Sequence, residues 1–413
     1  MRKLCFLAFM LCTCKIMAQT KNHSISSDNL LEQLMQTKPS EFGAILQNSD
    51  SLRVQIVYTK IDRTAKNKPV LTEYRFNTKD DLYFYPASTV KMTLAFLALE
   101  KLNEMKKKGV NKFTRTVHEQ ILPNYTIEND SASSIAHYIK QIFLVSDNEA
   151  FNRLYEFVGQ EAIQQKLSEK GYPNAIIRHR LQRPLSLEHN KITNPISFYN
   201  PDGELLFRQA ETYSRAQYNT SSVYVGKGYY KGDSLVNKPF EFTEKNRVYL
   251  TDLHHMLQSV IFPETVTKKQ RFNLTEDDYD FVYKYMSMYP AESKVPYYPK
   301  KDYWDSYCKF LYYGSEEKTP VNSSVRIFNK VGDAYGFLTD IAYVIDTTNQ
   351  IEYMLSATIY CNSDGIFNDD TYDYEKLGFP FMKHLGQLIH AYEIQRKREH
   401  KPKLEKFLLN YSN

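Results

Sequence analysis

Tyr83-Phe84-Tyr85-Pro86-Ala87-Ser88-Thr89-Val90-Lys91-Met92-Thr93-Leu94-Ala95-Phe96 opens an apolar segment that continues through Leu97, Ala98 and Leu99. A segment apolar on all sides belongs in a core, and Lys91 is its polar exception. Ser88 and Lys91 are three residues apart, so on a helix they share a face and the amine can reach the hydroxyl. A serine hydroxyl becomes a nucleophile when a neighbouring base takes its proton, and a partly desolvated lysine is such a base. A helix N-terminus adds a backbone N–H able to polarise a carbonyl oxygen. The expected chemistry is an acyl-enzyme on Ser88. The same Ser-x-x-Lys spacing at Ser306/Lys309 and Ser315/Lys318 lacks this setting and reads as loop or surface.

Two further elements follow in order. Phe143-Leu144-Val145-Ser146-Asp147-Asn148-Glu149-Ala150 ends one helix and starts another, with Ser146 or Asp147 as N-cap and Gly159 closing the segment after Val158. Lys330-Val331-Gly332-Asp333-Ala334-Tyr335-Gly336 then precedes an apolar strand pattern from Phe337 to Ile345. Ser27-Asp28-Asn29 repeats the Ser-Asp-Asn triplet, but its place before Leu30 makes it a helix cap.

With these three elements, the chain resembles the serine β-lactamases and penicillin-binding peptidases, most closely the class A branch, whose motif set is S-x-x-K, S-D-N and K-T-G. The 58 residues from Ser88 to Ser146 (146 − 88) match the class A pattern, and the likeness covers residues 28–190 and 245–395. The resemblance implies that Ser88 is the acylated nucleophile and Lys91 its proton acceptor. It implies that Ser146 carries a proton to the leaving nitrogen, Asn148 holds the substrate amide and Lys330 attracts the substrate carboxylate. Backbone N–H groups of Ser88 and Asp333, the latter one residue past Gly332, would form the oxyanion hole. The implied substrate is a β-lactam or a cell-wall peptide-like amide, with no cofactor and no metal.

The chain departs from the family pattern twice. Val331 stands where a Thr or Ser hydroxyl normally bonds the substrate carboxylate, a loss worth about 1.5–3 kcal/mol. The family's deacylating glutamate lies in a loop after Ser-Asp-Asn, and counting 34 residues from Asn148 (182 − 148) reaches Gln182. Gln182 lacks a basic carboxylate. Glu188 is the alternative if the loop is rearranged, against the plainer reading of a surface charge. Without a carboxylate at the acyl bond, deacylation should be slow. A penicillin-binding peptidase, an esterase-like enzyme or a β-lactam sensor therefore stand beside a β-lactamase.

The rest of the chain suits an exported enzyme. Met1-Arg2-Lys3, an apolar run to Met17 and a small residue at Ala18 read as a signal peptide over residues 1–18, giving a periplasmic or secreted protein. A lipoprotein reading through Cys12 or Cys14 is poorer, because Met10 and Thr13 are unusual residues near such a cysteine. Removing the leader leaves Cys308 and Cys361, which an exported setting allows to be bonded or free. No His/Cys cluster has zinc spacing, and adjacent His254 and His255 face different ways on a helix. A net charge of +5 over 413 residues, with scattered basic residues, offers no case for nucleic acid. No later segment approaches a membrane span, and a monomer is expected.

Strand patterns at 52–58, 70–76, 325–328, 336–345 and 352–360, with helices at 30–35, about 89–190 and 379–397, indicate an α/β (α+β) fold. Its sheet, from residues 28–88 and 320–398 of a single domain over 19–413, should be antiparallel and flanked by helices. An all-helical subdomain at 89–190 is inserted, with the site in the cleft between. Residues 194–242, rich in Tyr, Asn, Ser and Gly, read as an insertion, and residues 297–313 are a second Tyr-rich stretch holding Trp304. Either stretch is a substrate-stacking loop or a hairpin covering neighbouring surface.

Overall fold

Strands β1 (His23–Ile25), β2 (Gln55–Arg63), β3 (Pro69–Phe76), β4 (Val325–Ala334), β5 (Phe337–Asp346) and β6 (Ile351–Tyr360) form the central sheet in the order β1-β3-β2-β6-β5-β4. The computed structural model describes residues 23–123, 125–127 and 132–411, so the expected leader at 1–18 lies outside the described residues. β4 and β5 pair from Ala334↔Phe337 outward, joined by Tyr335 and Gly336, whose φ angles are 55° and 76°. Two positive φ values in a two-residue hairpin match the twist of the flanking strands. All ten residues of β5 and all ten of β6 are buried. Such strands need cover on both faces, and the helices supply it.

Helices α1 (Leu30–Gln36), α2 (Pro39–Gln47) and α7 (Phe379–Gln395) cover one face, where Leu31, Phe42 and Leu385 join Ile327, Leu355 and Ile359 in one apolar cluster. The second face meets α6 (Leu250–Ile261), through Leu253, Met256 and Leu257. That cluster continues into α3 (Val90–Glu104), α4 (Ile135–Val145) and α5 (Asn148–Val158). The sheet departs from the expected pattern at one edge, where β1 runs parallel to β3. The third motif also lies inside β4, which extends six residues past the expected end at Phe328, from Asn329 to Ala334.

Burial of α3 reaches every position from Val90 to Glu100. Its inward Glu100 is kept charged by Lys166 at 2.9 Å and Lys170 at 2.8 Å. The Tyr-rich insertion forms short strands. Ile196–Tyr199 pairs with Arg115–His118 and Leu205–Gln209, while Gly228–Lys231 pairs with Ile366–Phe367 and Ser234–Val236. Tyr213 and Tyr224 stay exposed, and Phe242 packs against Tyr335 with ring centroids 5.6 Å apart. Cys308 and Cys361 are both free and buried. Among the described residues no helix is long and apolar enough to cross a membrane.

Phe96 is fully buried in α3 and meets Phe272 edge-on at 5.2 Å. Phe96→Ala should cost about 3–5 kcal/mol of stability in urea denaturation. A loss under about 1 kcal/mol would show that the neighbours collapse into the space.

Candidate active site

Ser88 lies in a 3₁₀ turn, Ala87–Thr89, that leads directly into α3. Ala87 takes a left-handed φ of 46°, which costs a non-glycine residue about 1–2 kcal/mol. The Thr89 hydroxyl donates to Pro86 O at 2.6 Å and braces the turn. β4 passes very close to it. A Cβ on Gly332 would stand 2.8 Å from Pro86 O, 2.8 Å from Ser88 N and 2.9 Å from Thr89 N, all of them backbone atoms. Only glycine permits that approach, which sets β4 directly against the backbone of the Ser88 turn.

Lys91 is fully buried one turn later. Its ammonium does not bond Ser88, as the shared helix face suggested. It donates to Ser146 O, to Ser146 Oγ at 3.3 Å and to Asn148 Oδ1 at 2.7 Å. The reason lies in the α4–α5 junction. Ser146 ends α4 in a left-handed conformation (φ 59°), and Asp147 caps α5 by accepting from Ala150 N at 2.7 Å. This tight reversal turns the Ser146 carbonyl and hydroxyl toward Lys91. Lys330, equally buried, reaches the same hydroxyl from β4, with Nζ 2.8 Å from Ser146 Oγ and 2.7 Å from Val331 O.

Burial and the Lys330 charge push Lys91 well below the usual lysine range. Burial likewise lowers Lys330 to about 8. Ser146 Oγ accepts from both amines, so both its lone pairs are occupied and its own proton is free to point elsewhere. The described residues include no hydrogen-bond partner for the Ser88 hydroxyl.

Gln182 lies across the cavity from Ser88 and accepts from Asn148 Nδ2 at 2.8 Å. Sequence reasoning missed the residues that hold it there. Asn152 pins Leu181 through both backbone groups, at 2.9 and 3.0 Å. Fully buried Arg180 contacts Glu156 at 3.0 Å and Ile192 O at 2.7 Å. Breaking such a buried pair by removing one partner typically costs about 3–5 kcal/mol. Glu188 does not join this group. It lies on the short helix Leu187–Lys191, exposed, and binds Lys191 and Tyr213, both at 2.7 Å.

Ser88, Ser146, Asn148, Gln182, Val331 and Asp333 line one cavity of about 450 Å³. Asp333 is exposed at its rim. Trp304, Tyr307 and Cys308 from the second Tyr-rich stretch form another wall. The stretch was visible as composition, but its place at the mouth was not. The Ser306/Lys309 pair, read as loop or surface, is buried, and Lys309 donates to Met286 O, Ile327 O and Asn329 Oδ1. It is a structural brace in the sheet's end.

The chain belongs to the Beta-lactamase enzyme family, whose profile matches residues 40–374. Similar solved structures include a β-lactamase from Sphaerobacter thermophilus, 11% identical with a TM-score of 0.48 over 86% of this chain and 97% of that one. PBP-A is 15% identical with a TM-score of 0.49, covering 90% of this chain and 98% of that one. A class A β-lactamase from Clostridium kluyveri is 15% identical, TM-score 0.45, over 85% and 97% respectively. No curated protein sequence matches the chain.

Gly332→Ala should destabilise the protein by about 1–3 kcal/mol in urea denaturation, because three backbone atoms must give way. Unchanged stability would mean that β4 stands farther from the Ser88 turn than this geometry requires.

Proposed function

We propose that the protein is an exported active-site-serine hydrolase that forms an acyl-enzyme on Ser88 with β-lactams or related amides. The observation that carries the reading is the pair of buried lysines converging on the Ser146 hydroxyl beside Ser88. Burial beside Lys330 lowers the proton affinity of Lys91, so its ammonium gives up a proton more readily and the freed amine can take the Ser88 proton as the hydroxyl oxygen attacks the carbonyl. The amides of Ser88 and Asp333 receive the developing oxyanion, a role worth roughly a hundred- to a thousandfold in rate per donor. The Ser146 proton is available to the leaving nitrogen, and Lys91 replaces it. Asn148, fixed between Lys91 and Gln182, presents its amide to the substrate side chain.

Substrate preference follows from the cavity walls. Val331 offers no hydroxyl to a carboxylate, so Lys330 alone supplies the positive charge. Hydrolysis of the acyl-enzyme is the weaker half. Gln182 has no carboxylate, and Glu188 is committed to Lys191 and Tyr213. This favours slow deacylation, as in a penicillin-binding peptidase or a β-lactam sensor. The basic-then-apolar segment ending at Ala18 supports export.

Time-resolved intact-mass spectrometry of the mature protein with a penicillin tests both halves. A covalent adduct that persists is expected, and Ser88→Ala should abolish it. Labelling of the alanine variant would remove Ser88 from the mechanism, whereas rapid decay of the adduct with excess drug consumed would establish efficient turnover.

Lys330 also sets a pH dependence. Its ammonium is present below about 8 and lost above it. The apparent affinity for a carboxylate-bearing penicillin should therefore fall as pH rises from 7 to 9, while that for the corresponding methyl ester stays level. Equal profiles for acid and ester would exclude Lys330 as the carboxylate's partner.

A further inference from the structure

At the edge of the sheet opposite β4, three residues distant in sequence meet beside β1. His23 comes from β1, Glu73 from β3 and His255 from α6, and their ligand atoms all lie within 4.8 Å of one another. Both imidazoles aim Nε2 at one carboxylate oxygen. His255 Nε2 is 2.7 Å from Glu73 Oε2, and His23 Nε2 is 3.5 Å from it. His23 Nε2 is buried and, among the described residues, has no hydrogen-bond partner. The two rings stand edge-on, 5.8 Å between centroids.

We infer that His23, Glu73 and His255 form a binding site for a divalent cation of the zinc class. Two imidazole nitrogens and one carboxylate oxygen suit zinc, which binds them at about 2.0–2.2 Å. Tetrahedral ligands at that radius are about 3.3 Å apart, so the three atoms need shifts of only about 1 Å. The surroundings already orient them. Arg75 Nε holds the other carboxylate oxygen, Glu73 Oε1, at 2.5 Å, which leaves Oε2 turned to the histidines. Asp252, on the same helix as His255, stands near enough to His255 and Arg75 to interact with both electrostatically. The Glu73 side chain is buried, while those of His23 and His255 keep 21% and 26% of their surface exposed, so an ion can enter from solvent.

The gain would be mechanical. β1 is three residues long and, among the described residues, pairs in the sheet with β3 alone. A bound ion would fasten that strand to β3 and α6 together. Neighbouring His254 takes no part, since it faces inward between Thr59 Oγ1 at 2.8 Å and Ser356 Oγ at 2.7 Å. The site is independent of the acyl-transfer cavity and does not rest on the function proposed for it.

The test uses the mature, tag-free protein, stripped with chelator and dialysed against zinc chloride, with bound zinc measured by elemental analysis. One zinc per chain is expected, together with a higher melting temperature. His23→Ala and His255→Ala, both at partly exposed positions, should each weaken binding more than about a hundredfold. His400→Ala, at a site remote from the cluster in sequence, should bind as the parent does. Cobalt(II) provides a second readout, with visible absorption lost in both cluster variants. No retained zinc would overturn the assignment and leave a plain His–Glu ion pair. Zinc retained equally by His23→Ala and His255→Ala would overturn it too.

Discussion

Two lysine ammoniums buried against one serine hydroxyl are the constraint on which the site depends. Placing two like charges out of water is costly, and each depresses the other's proton affinity. The fold tolerates them by giving every amine oxygen acceptors: Ser146 O, Ser146 Oγ and Asn148 Oδ1 for Lys91, and Ser146 Oγ and Val331 O for Lys330. Three separate backbone features are needed for this. The left-handed Ser146 turns its oxygens inward, the Asp147 cap fixes the start of α5, and Gly332 lets β4 close on the Ser88 turn. The helical half and the sheet are thereby locked together around Ser88, Ser146 and Lys330.

A second layer of buried charge shapes what the site can do. Arg180, Glu156 and Asn152 hold the loop that carries Gln182, while Arg183 reaches Glu149 at 2.9 Å on its outer side. The loop is therefore fixed in a form that sends Gln182 to Asn148 and Glu188 to the surface. Arg180 also donates to His189 O and Ile192 O, which ties the segment around Glu188 to the buried Arg180–Glu156 pair. This network, and not the composition of the loop alone, decides which of its side chains faces the cavity.

Much of this was legible in the chain itself. Ser88-x-x-Lys91 ahead of a fully apolar helix, Ser146-Asp147-Asn148 at a helix junction and Lys330-x-Gly332 before a strand are local patterns, and local patterns determine helix starts, caps and hairpins. The strand pattern at 352–360 fell within one residue of β6, whereas the alternating run at 52–58 started three residues early and stopped five short of β2. Less legible were the edges: β1 pairs in parallel with β3, and β4 carries the third motif within it. Nothing in three residues of local sequence specifies a parallel partner.

The sequence by itself determined the fold family, the order of the three site elements and the two departures, Val331 and Gln182, because each is a matter of residue identity at a spacing. Only the tertiary structure decided that Lys91 turns to Ser146 and not Ser88, that Trp304 and Tyr307 wall the cavity, and that Glu188 is excluded from it. It alone brought His23, Glu73 and His255 together. These contacts join residues tens to hundreds of positions apart, and their geometry depends on how sheet and helices pack, which no local pattern encodes.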